Sequence, residues 1–432
     1  MTLGKIAVAG LLASTGLATP IVPHSRTDQH GGTQQQLIKQ VQLGPRPYFL
    51  VNDMDPSPLK DELEACSEME MRPSRFSIGH RGGGTLLIPE ETRESELAGL
   101  RMGSEVLECD VVFTSDRRLV CRHDQCDLHS TTNIVDVPEL NAKCTQPFSP
   151  ADPAAGTPAS AKCCTSDITL DEFKSLCGKM DGFNATAETP ADFLHGTPSW
   201  RTDLYATCGT VLTHREFITL VDEFGGPEVQ FTPELKTPQV PMPFGGNGSN
   251  YTQQAFAQQM VDEYVEAGVD LRRLWPQSFL YDDILYWIEA VPEIASQVMF
   301  LTETEGDIAN LSSYAAAGVK IMAPPLPFLV AVGEDGKSIV PSEYAAEAKR
   351  LGLKLVTWSF DRSGPLSQVK EDDDYYYTSI ANVTNNDGDV YNLLDVLARE
   401  VGVMAVFSDW AATATYYANC FGLFPTHSDW VD

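Results

Sequence analysis

The sequence predicts an α/β protein built as a closed (β/α)8 TIM barrel, with a long cysteine-containing insertion after the second barrel strand. Three observations carry this. Short apolar strands alternate with helical segments along most of the chain, the pattern of a parallel sheet with helices outside it. Eight such strands can be placed, ending near His80, Glu108, Lys236, Ser278, Thr302, Ala323, Phe360 and Ser408, and eight is the number that closes a barrel. The alternation breaks once, between Asp124 and Pro227, and seven of the ten cysteines fall between Cys121 and Cys208. An open doubly wound sheet is the structural alternative. It is disfavoured because no Gly-x-Gly-x-x-Gly follows the first strand, and Gly82-Gly83-Gly84 is not that fingerprint.

The elements follow in order. Residues 1–18 read as a secretory signal, with Lys5 at its start, an apolar run from Ile6 to Leu17, and small residues at its end. That run is too short for a comfortable membrane span. A flexible lead rich in Gln, Thr, Gly and Pro continues to about residue 46, within an N-terminal region placed at 19–75. Tyr48 to Val51 reads as a short strand, and Ser57-Pro58 opens a helix on which Cys66 is placed to tie the lead to the body. The barrel domain is expected over 76–420, with the insertion at 124–227 and a C-terminal tail at 421–432. Phe76–Gly79 is the first strand and Glu91–Met102 the first helix; Glu105–Thr114 and Leu119–His123 are strands joined by a turn at Ser115-Asp116. Within the insertion, Ile168–Leu176, with Thr-Leu-Asp-Glu-Phe, reads as a capped helix start, Pro190–Thr202 as loop, and Leu212–Phe224 as helix. Strand and helix then alternate from Val229 to Ser408, apart from an acidic, tyrosine-rich loop at Asp372–Asn386.

Composition narrows the function. Sixty acidic residues against thirty basic ones give a formal charge of −30, which argues against a nucleic-acid backbone as partner. An anionic substrate would need locally placed cations. The clustered cysteines suit disulfides and an exported protein, and Cys163-Cys164 lacks the spacing of a zinc site. Sequons begin at Asn184, Asn247, Asn250, Asn310 and Asn382, so N-glycans are expected on a secreted, extracellular protein without stable membrane insertion.

The chemistry concentrates in Ser77–Asp124 and recurs at the third strand. Glu108 and Asp110 lie two apart on a strand and so point the same way. Two buried carboxylates repel, and a divalent cation removes the conflict. All-oxygen ligation favours Ca2+ or Mg2+. Glu234 and Lys236 repeat the spacing at the C-terminal end of a strand, where barrel active sites are built. Glu234 is the candidate third ligand and Lys236 a point charge for phosphate. His80 and His123 both end strands and titrate near neutrality, so one can take a proton while the other gives one. Arg81 offers a planar fork for phosphate, and the glycines after it allow close backbone approach.

Taken in order, His80-Arg81-Gly82, Pro89-Glu90-Glu91-Thr92, Glu108-x-Asp110 with Thr114-x-Asp116, and His123-Asp124 resemble the signature of the glycerophosphodiester phosphodiesterase family. Glu234-Leu235-Lys236, Gln277-Ser278-Phe279, Val356-Thr357-Trp358 and Phe407-Ser408-Asp409-Trp410 are similar to its later strand motifs. The resemblance implies a barrel with a segment inserted after its second strand. It also implies metal-dependent hydrolysis of glycerophosphodiesters, such as glycerophosphocholine, to sn-glycerol 3-phosphate and an alcohol. By position it implies His80 and His123 as the acid/base pair, and Glu108, Asp110 and Glu234 as metal ligands. It further implies Arg81, Glu90 and Lys236 as substrate contacts, and Trp358 as an aromatic wall near the glycerol end. Two departures stand out: Glu91 replaces the family's Asn, and Thr357-Trp358 reverses its usual Trp-Thr order. The alternatives are a phospholipase D-type lipid phosphodiesterase on the same barrel and a non-catalytic extracellular barrel protein. The second would be marked by loss of a His or a metal carboxylate, and none is lost.

Overall fold

The computed structural model describes residues 37–201, 208–246 and 248–431. The expected signal segment, the lead up to residue 36 and the sequon at Asn247 lie outside them. Among the described residues, no helix is long and apolar enough to cross a membrane.

Eight parallel strands close on themselves. They are β1 (Ser74–Gly79), β2 (Ser104–Leu107, resuming at Asp110–Phe113), β3 (Gln230–Phe231, resuming at Glu234–Leu235), β4 (Gln277–Ser278), β5 (Met299–Leu301), β6 (Ile321–Ala323), β7 (Lys354–Phe360) and β8 (Ala405–Ser408). Each pairs with the next, and β8 pairs with β1 through Ser77–Val406, Ile78–Phe407 and Gly79–Ser408. The ladder between β2 and β3 runs through both interruptions, with Thr232, Glu234 and Lys236 N–H donating to the carbonyls of Leu107, Cys109 and Val111. Pro233, which has no N–H, sits at the non-pairing position between them.

Apolar side chains fill the ring. Ile78, Val106, Met299, Leu301, Ile321, Ala323, Val356, Ala405 and Phe407 form its interior cluster. The expected C-terminal tail contributes to it: a helix at His427–Val431 buries Trp430 in this cluster, edge-on to Trp275 at 4.6 Å. A larger apolar layer lies between the strands and the surrounding helices.

Two sequence expectations change. Tyr48–Val51 is not a strand but part of the helix Arg46–Asp53. Pro47 sits in its first turn, and Leu50 and Val51 are buried against the body, with Tyr48 edge-on to Tyr416 at 5.4 Å. Packing against the last long helix decides the conformation that β-propensity left open. The stretch Pro190–Thr202, expected as loop, begins with a short helix, Pro190–Phe193, capped by Thr189.

Between Asp124 and Val211 the chain builds a second apolar cluster, from Leu128, Ile134, Ile168, Phe173 and Phe193 among others, resting on Val112 and Val120 of the barrel hairpin. Three disulfides staple it: Cys126–Cys164, Cys144–Cys163 and Cys177–Cys208. Cys109–Cys121 ties β2 to its hairpin partner Leu119–Cys121, and Cys66–Cys420 ties the C-terminal end of the helix Pro58–Ala65 to the last long helix, Ala412–Phe421. These five bonds account for all ten cysteines.

Replacement of Trp430 by Ala removes a large side chain from the barrel interior, so denaturant unfolding should show a loss of about 3–5 kcal/mol. A loss below about 1 kcal/mol would mean that this helix does not close the core.

Candidate active site

A cavity of about 520 Å³ opens at the C-terminal ends of the strands. His80, Arg81, Glu90, Glu108, His123, Glu234, Lys236 and Trp358 all line it, and Asp110 lies buried just behind. The expected site residues therefore come together, and strand register explains how. Glu234 pairs with Asp110 on one side and with Gln277 on the other, so the three side chains form one row across β2, β3 and β4.

One oxygen each from Glu108, Asp110 and Glu234 lie within 4.8 Å of one another. All three residues are buried. Burial pushes the Glu108 carboxyl well above its usual range, and Asp110 and Glu234 add to this. Burial likewise pushes Glu234 up to about 8, against the opposing pull of Lys236. Both Asp110 side-chain oxygens are buried without a hydrogen-bond donor. Unpaired carboxylate oxygens at this spacing fit a hard divalent cation, which would remove the repulsion and keep all three groups ionised. Surrounding groups orient the triad. Gln277 Nε2 donates to Glu108 Oε1 at 2.7 Å, the Arg81 N–H to Glu108 Oε2 at 2.8 Å, and Lys236 Nζ lies 2.6 Å from Glu234 Oε1.

The two histidines sit in different surroundings. His80 follows β1, and its Nδ1 pairs with Asp409, which follows β8. Its Nε2 lies 3.8 Å from Glu108 Oε2, and Ser359 Oγ lies 3.1 Å from Nδ1. Burial lowers the His80 pKa, and Asp409 works against that shift. Burial alone would raise Asp409, but Arg362 and His80 outweigh it and hold the carboxylate ionised. His123 follows the hairpin strand, and burial and then Arg81, Lys236 and Arg362 lower its pKa well below the ordinary value. A ring nitrogen of His123 lies within 4.8 Å of carboxylate oxygens of Glu90 and Asp127.

Arg81 occupies left-handed backbone space, with φ of 50°, a strain found where the surroundings over-determine a functional residue. Its Nη1 donates to Glu90 Oε2 at 2.8 Å, and its Nε lies 3.6 Å from Asp110 Oδ2. The glycines after it are required by space: a Cβ on Gly82 would meet Ser95 Oγ at 2.4 Å, and one on Gly83 would meet Gly79 Cα at 2.6 Å. Glu90, expected at the substrate, borders the cavity while gripping Arg81 and Arg362. Glu91 turns away from the cavity, and its Oε1 accepts the Asp110 N–H at 3.1 Å. Burial, Asp110 and Glu96 push the Glu91 carboxyl well above the usual range. The shift is toward the neutral form, the charge state of the Asn it replaces.

The sequence reading did not include Asp409, Arg362, Gln277, Asp181 or Tyr376 among the site residues. Asp409 and Gln277 were inside quoted motifs. Ring closure supplies the missing signal, since Gly79 pairs with Ser408 and the residues after them become neighbours. Arg362 is held by Asp409 at 2.9 Å, Glu90 at 3.2 Å and Asp181 at 3.3 Å. Asp181 comes from the disulfide-stapled segment, where Arg201 grips it at 2.6 Å and also donates to the Thr85 carbonyl. Nothing in sequence spacing links positions 181 and 362.

The profile of the glycerophosphoryl diester phosphodiesterase family matches residues 80–413. An extracellular protein of Arthroderma benhamiae is 46% identical over 252 residues, which is 56% of this chain and 100% of that protein. A glycerophosphodiester phosphodiesterase of Arabidopsis thaliana is 30% identical over 83 residues, 19% of this chain and 22% of that one. The crystal structure of a protein from Silicibacter pomeroyi, assigned as a glycerophosphoryl diester phosphodiesterase, aligns with a TM-score of 0.52 at 17% identity. That alignment covers 83% of this chain and 98% of the other, and it bears on the fold.

Because burial, Asp110 and Glu96 favour the neutral form of Glu91, Glu91→Gln should match or exceed the wild-type melting temperature at pH 7. A drop of several degrees would show that its charged form supports the fold.

Proposed function

This chain belongs to the glycerophosphoryl diester phosphodiesterase family and is an enzyme of that class; on that premise we propose a metal-assisted, two-histidine hydrolysis of small glycerophosphodiesters outside the cell. The substrate would be a diester such as glycerophosphocholine, and the products sn-glycerol 3-phosphate and the free alcohol. The observation that carries the reading is the carboxylate triad beside two histidines and two phosphate-seeking cations on one cavity. The cation, Ca2+ or Mg2+ on Glu108, Asp110 and Glu234, would supply fixed positive charge to the phosphate oxygens.

The protein's own groups do the rest. Arg81 and Lys236 bind the non-bridging phosphate oxygens, and both are already oriented by carboxylates, so little reorganisation is needed as charge shifts. One histidine takes the proton from the attacking oxygen and the other gives a proton to the leaving alcohol; if that oxygen is water, glycerol 3-phosphate forms directly, and if it is a glycerol hydroxyl, a cyclic phosphate forms that water then opens. Asp409 fixes the ring of His80 through Nδ1 and leaves Nε2 for the proton. Trp358 gives the substrate an apolar wall. The five disulfides and the exposed sequon residues Asn250, Asn310 and Asn382 support an extracellular, glycosylated protein.

Release of glycerol 3-phosphate from glycerophosphocholine is the direct assay. A chelator should abolish it, with recovery on adding Mg2+ or Ca2+. His80→Ala and His123→Ala should each lower kcat by about 10²–10⁴-fold. Chelator-resistant turnover would refute the metal assignment, and near-wild-type activity in either variant would refute the acid/base pair.

A further inference from the structure

Beyond the phosphate-handling groups, one wall of the cavity is made of aromatic rings. Trp358 and Tyr375 lie nearly parallel, at 24°, with centroids 6.3 Å apart. Tyr376 stands at 83° to Trp358 and at 79° to Tyr375, with centroids 6.2 and 5.2 Å away. Phe279 meets Trp358 at 82° and 5.9 Å. All four rings line the cavity, and Leu301 and Phe407 add apolar surface between them.

The wall is fixed and close to the chemistry. Trp358 Nε1 is committed to the Ala323 carbonyl at 2.9 Å, so the indole offers a ligand its ring and no donor. Ser359, which follows Trp358 in the chain, places its Oγ 3.1 Å from His80 Nδ1. The wall therefore begins one side chain from His80. Tyr375 is 44% exposed, so part of its ring is open to solvent at the cavity. Glu303 lines the same cavity. Burial, and then the Glu303 charge, push the Tyr375 phenol up to about 12. The cations nearby do not oppose a second cation strongly, because each is matched: Arg81 by Glu90, Lys236 by Glu234, and Arg362 by Asp409, Glu90 and Asp181.

We propose that Trp358, Tyr375, Tyr376 and Glu303 form a subsite for a quaternary ammonium group, the trimethylammonium end of a choline-type alcohol esterified to the phosphate. The proposal rests on the cavity being a glycerophosphodiester site, and it assigns the aromatic wall to the alcohol rather than to the glycerol. A quaternary ammonium has no N–H, so it asks for no acceptors. It spreads its charge over methyl groups and is attracted by ring faces within about 6 Å. Aromatic rings with one rim carboxylate suit that cation. A primary ammonium needs several acceptors on losing its hydration shell and finds fewer here. In a choline ester the nitrogen lies two carbons beyond the ester oxygen, so it falls on groups bordering the phosphate site, as these rings do.

The test compares kcat/KM for glycerophosphocholine, glycerophosphoethanolamine and glycerophosphoglycerol in wild-type protein, Tyr375→Leu and Glu303→Gln, with a divalent cation present. Wild type should favour the choline diester over the ethanolamine diester about tenfold. Each variant should cut the choline-to-glycerol ratio by roughly 2- to 30-fold, the range one cation–π or rim-charge contact supplies, and the loss should appear in KM. Equal wild-type rates on the choline and ethanolamine diesters would overturn the subsite. So would variants that slow all three diesters by one factor. Turnover of none of the three by folded wild type would refute the underlying glycerophosphodiester reading, an outcome distinct from loss of discrimination.

Discussion

Three carboxylates forced into one buried corner set the terms for the rest of the molecule. Glu108, Asp110 and Glu234 are brought together by the register of β2 against β3, and their oxygens fall within 4.8 Å of one another. Left alone they would take up protons or push apart, because buried like charges are costly. The neighbouring residues answer that constraint. Lys236 and Arg81 bring positive charge, Gln277 and the Arg81 N–H donate hydrogen bonds, and the remaining unpaired oxygens of Asp110 face the place where a cation fits. Glu91 and Glu96, also buried, are pushed toward their neutral forms by burial and by Asp110.

A second layer holds His80 and His123 against this corner. Closure of the ring at β8 and β1 sets Asp409 beside His80. The Cys109–Cys121 bond joins the residue between Glu108 and Asp110 to the hairpin strand that ends two residues before His123. That covalent link limits how far His123 can drift from the triad. The stapled segment reaches in as well, because Asp181 binds Arg362 and Arg362 binds Asp409. Disulfides in this chain thus act on the site as well as on stability, an arrangement that suits an oxidising environment.

The sequence carried much of this. The barrel, most strand positions and the meeting of His80, Arg81, Glu108, His123, Glu234 and Lys236 on one cavity were legible, because each rests on local spacing: alternation on a strand places Glu108 with Asp110 and Glu234 with Lys236. What local spacing does not encode stayed hidden. The Asp409–His80 pair depends on ring closure across more than three hundred residues. The Asp181–Arg362 pair depends on how an irregular, disulfide-bonded segment folds back over the barrel mouth. The helix at Arg46–Asp53 and the burial of Trp430 were missed for a similar reason, since tertiary packing overrides the weak preferences of a short segment. The loop at Asp372–Asn386 read only as acidic and tyrosine-rich, and its return to the Trp358 side of the cavity, which sets Tyr375 and Tyr376 there, is a matter of tertiary packing.

The most direct test of the central claim is thermal unfolding of chelator-stripped protein titrated with Mg2+ or Ca2+, run on wild type and on Asp110→Asn. A cation that binds the folded triad and not the unfolded chain must raise the melting temperature with concentration. The account predicts a rise of several degrees in wild type and none in Asp110→Asn. A wild-type melting temperature indifferent to both cations, or an equal rise in the variant, would contradict it.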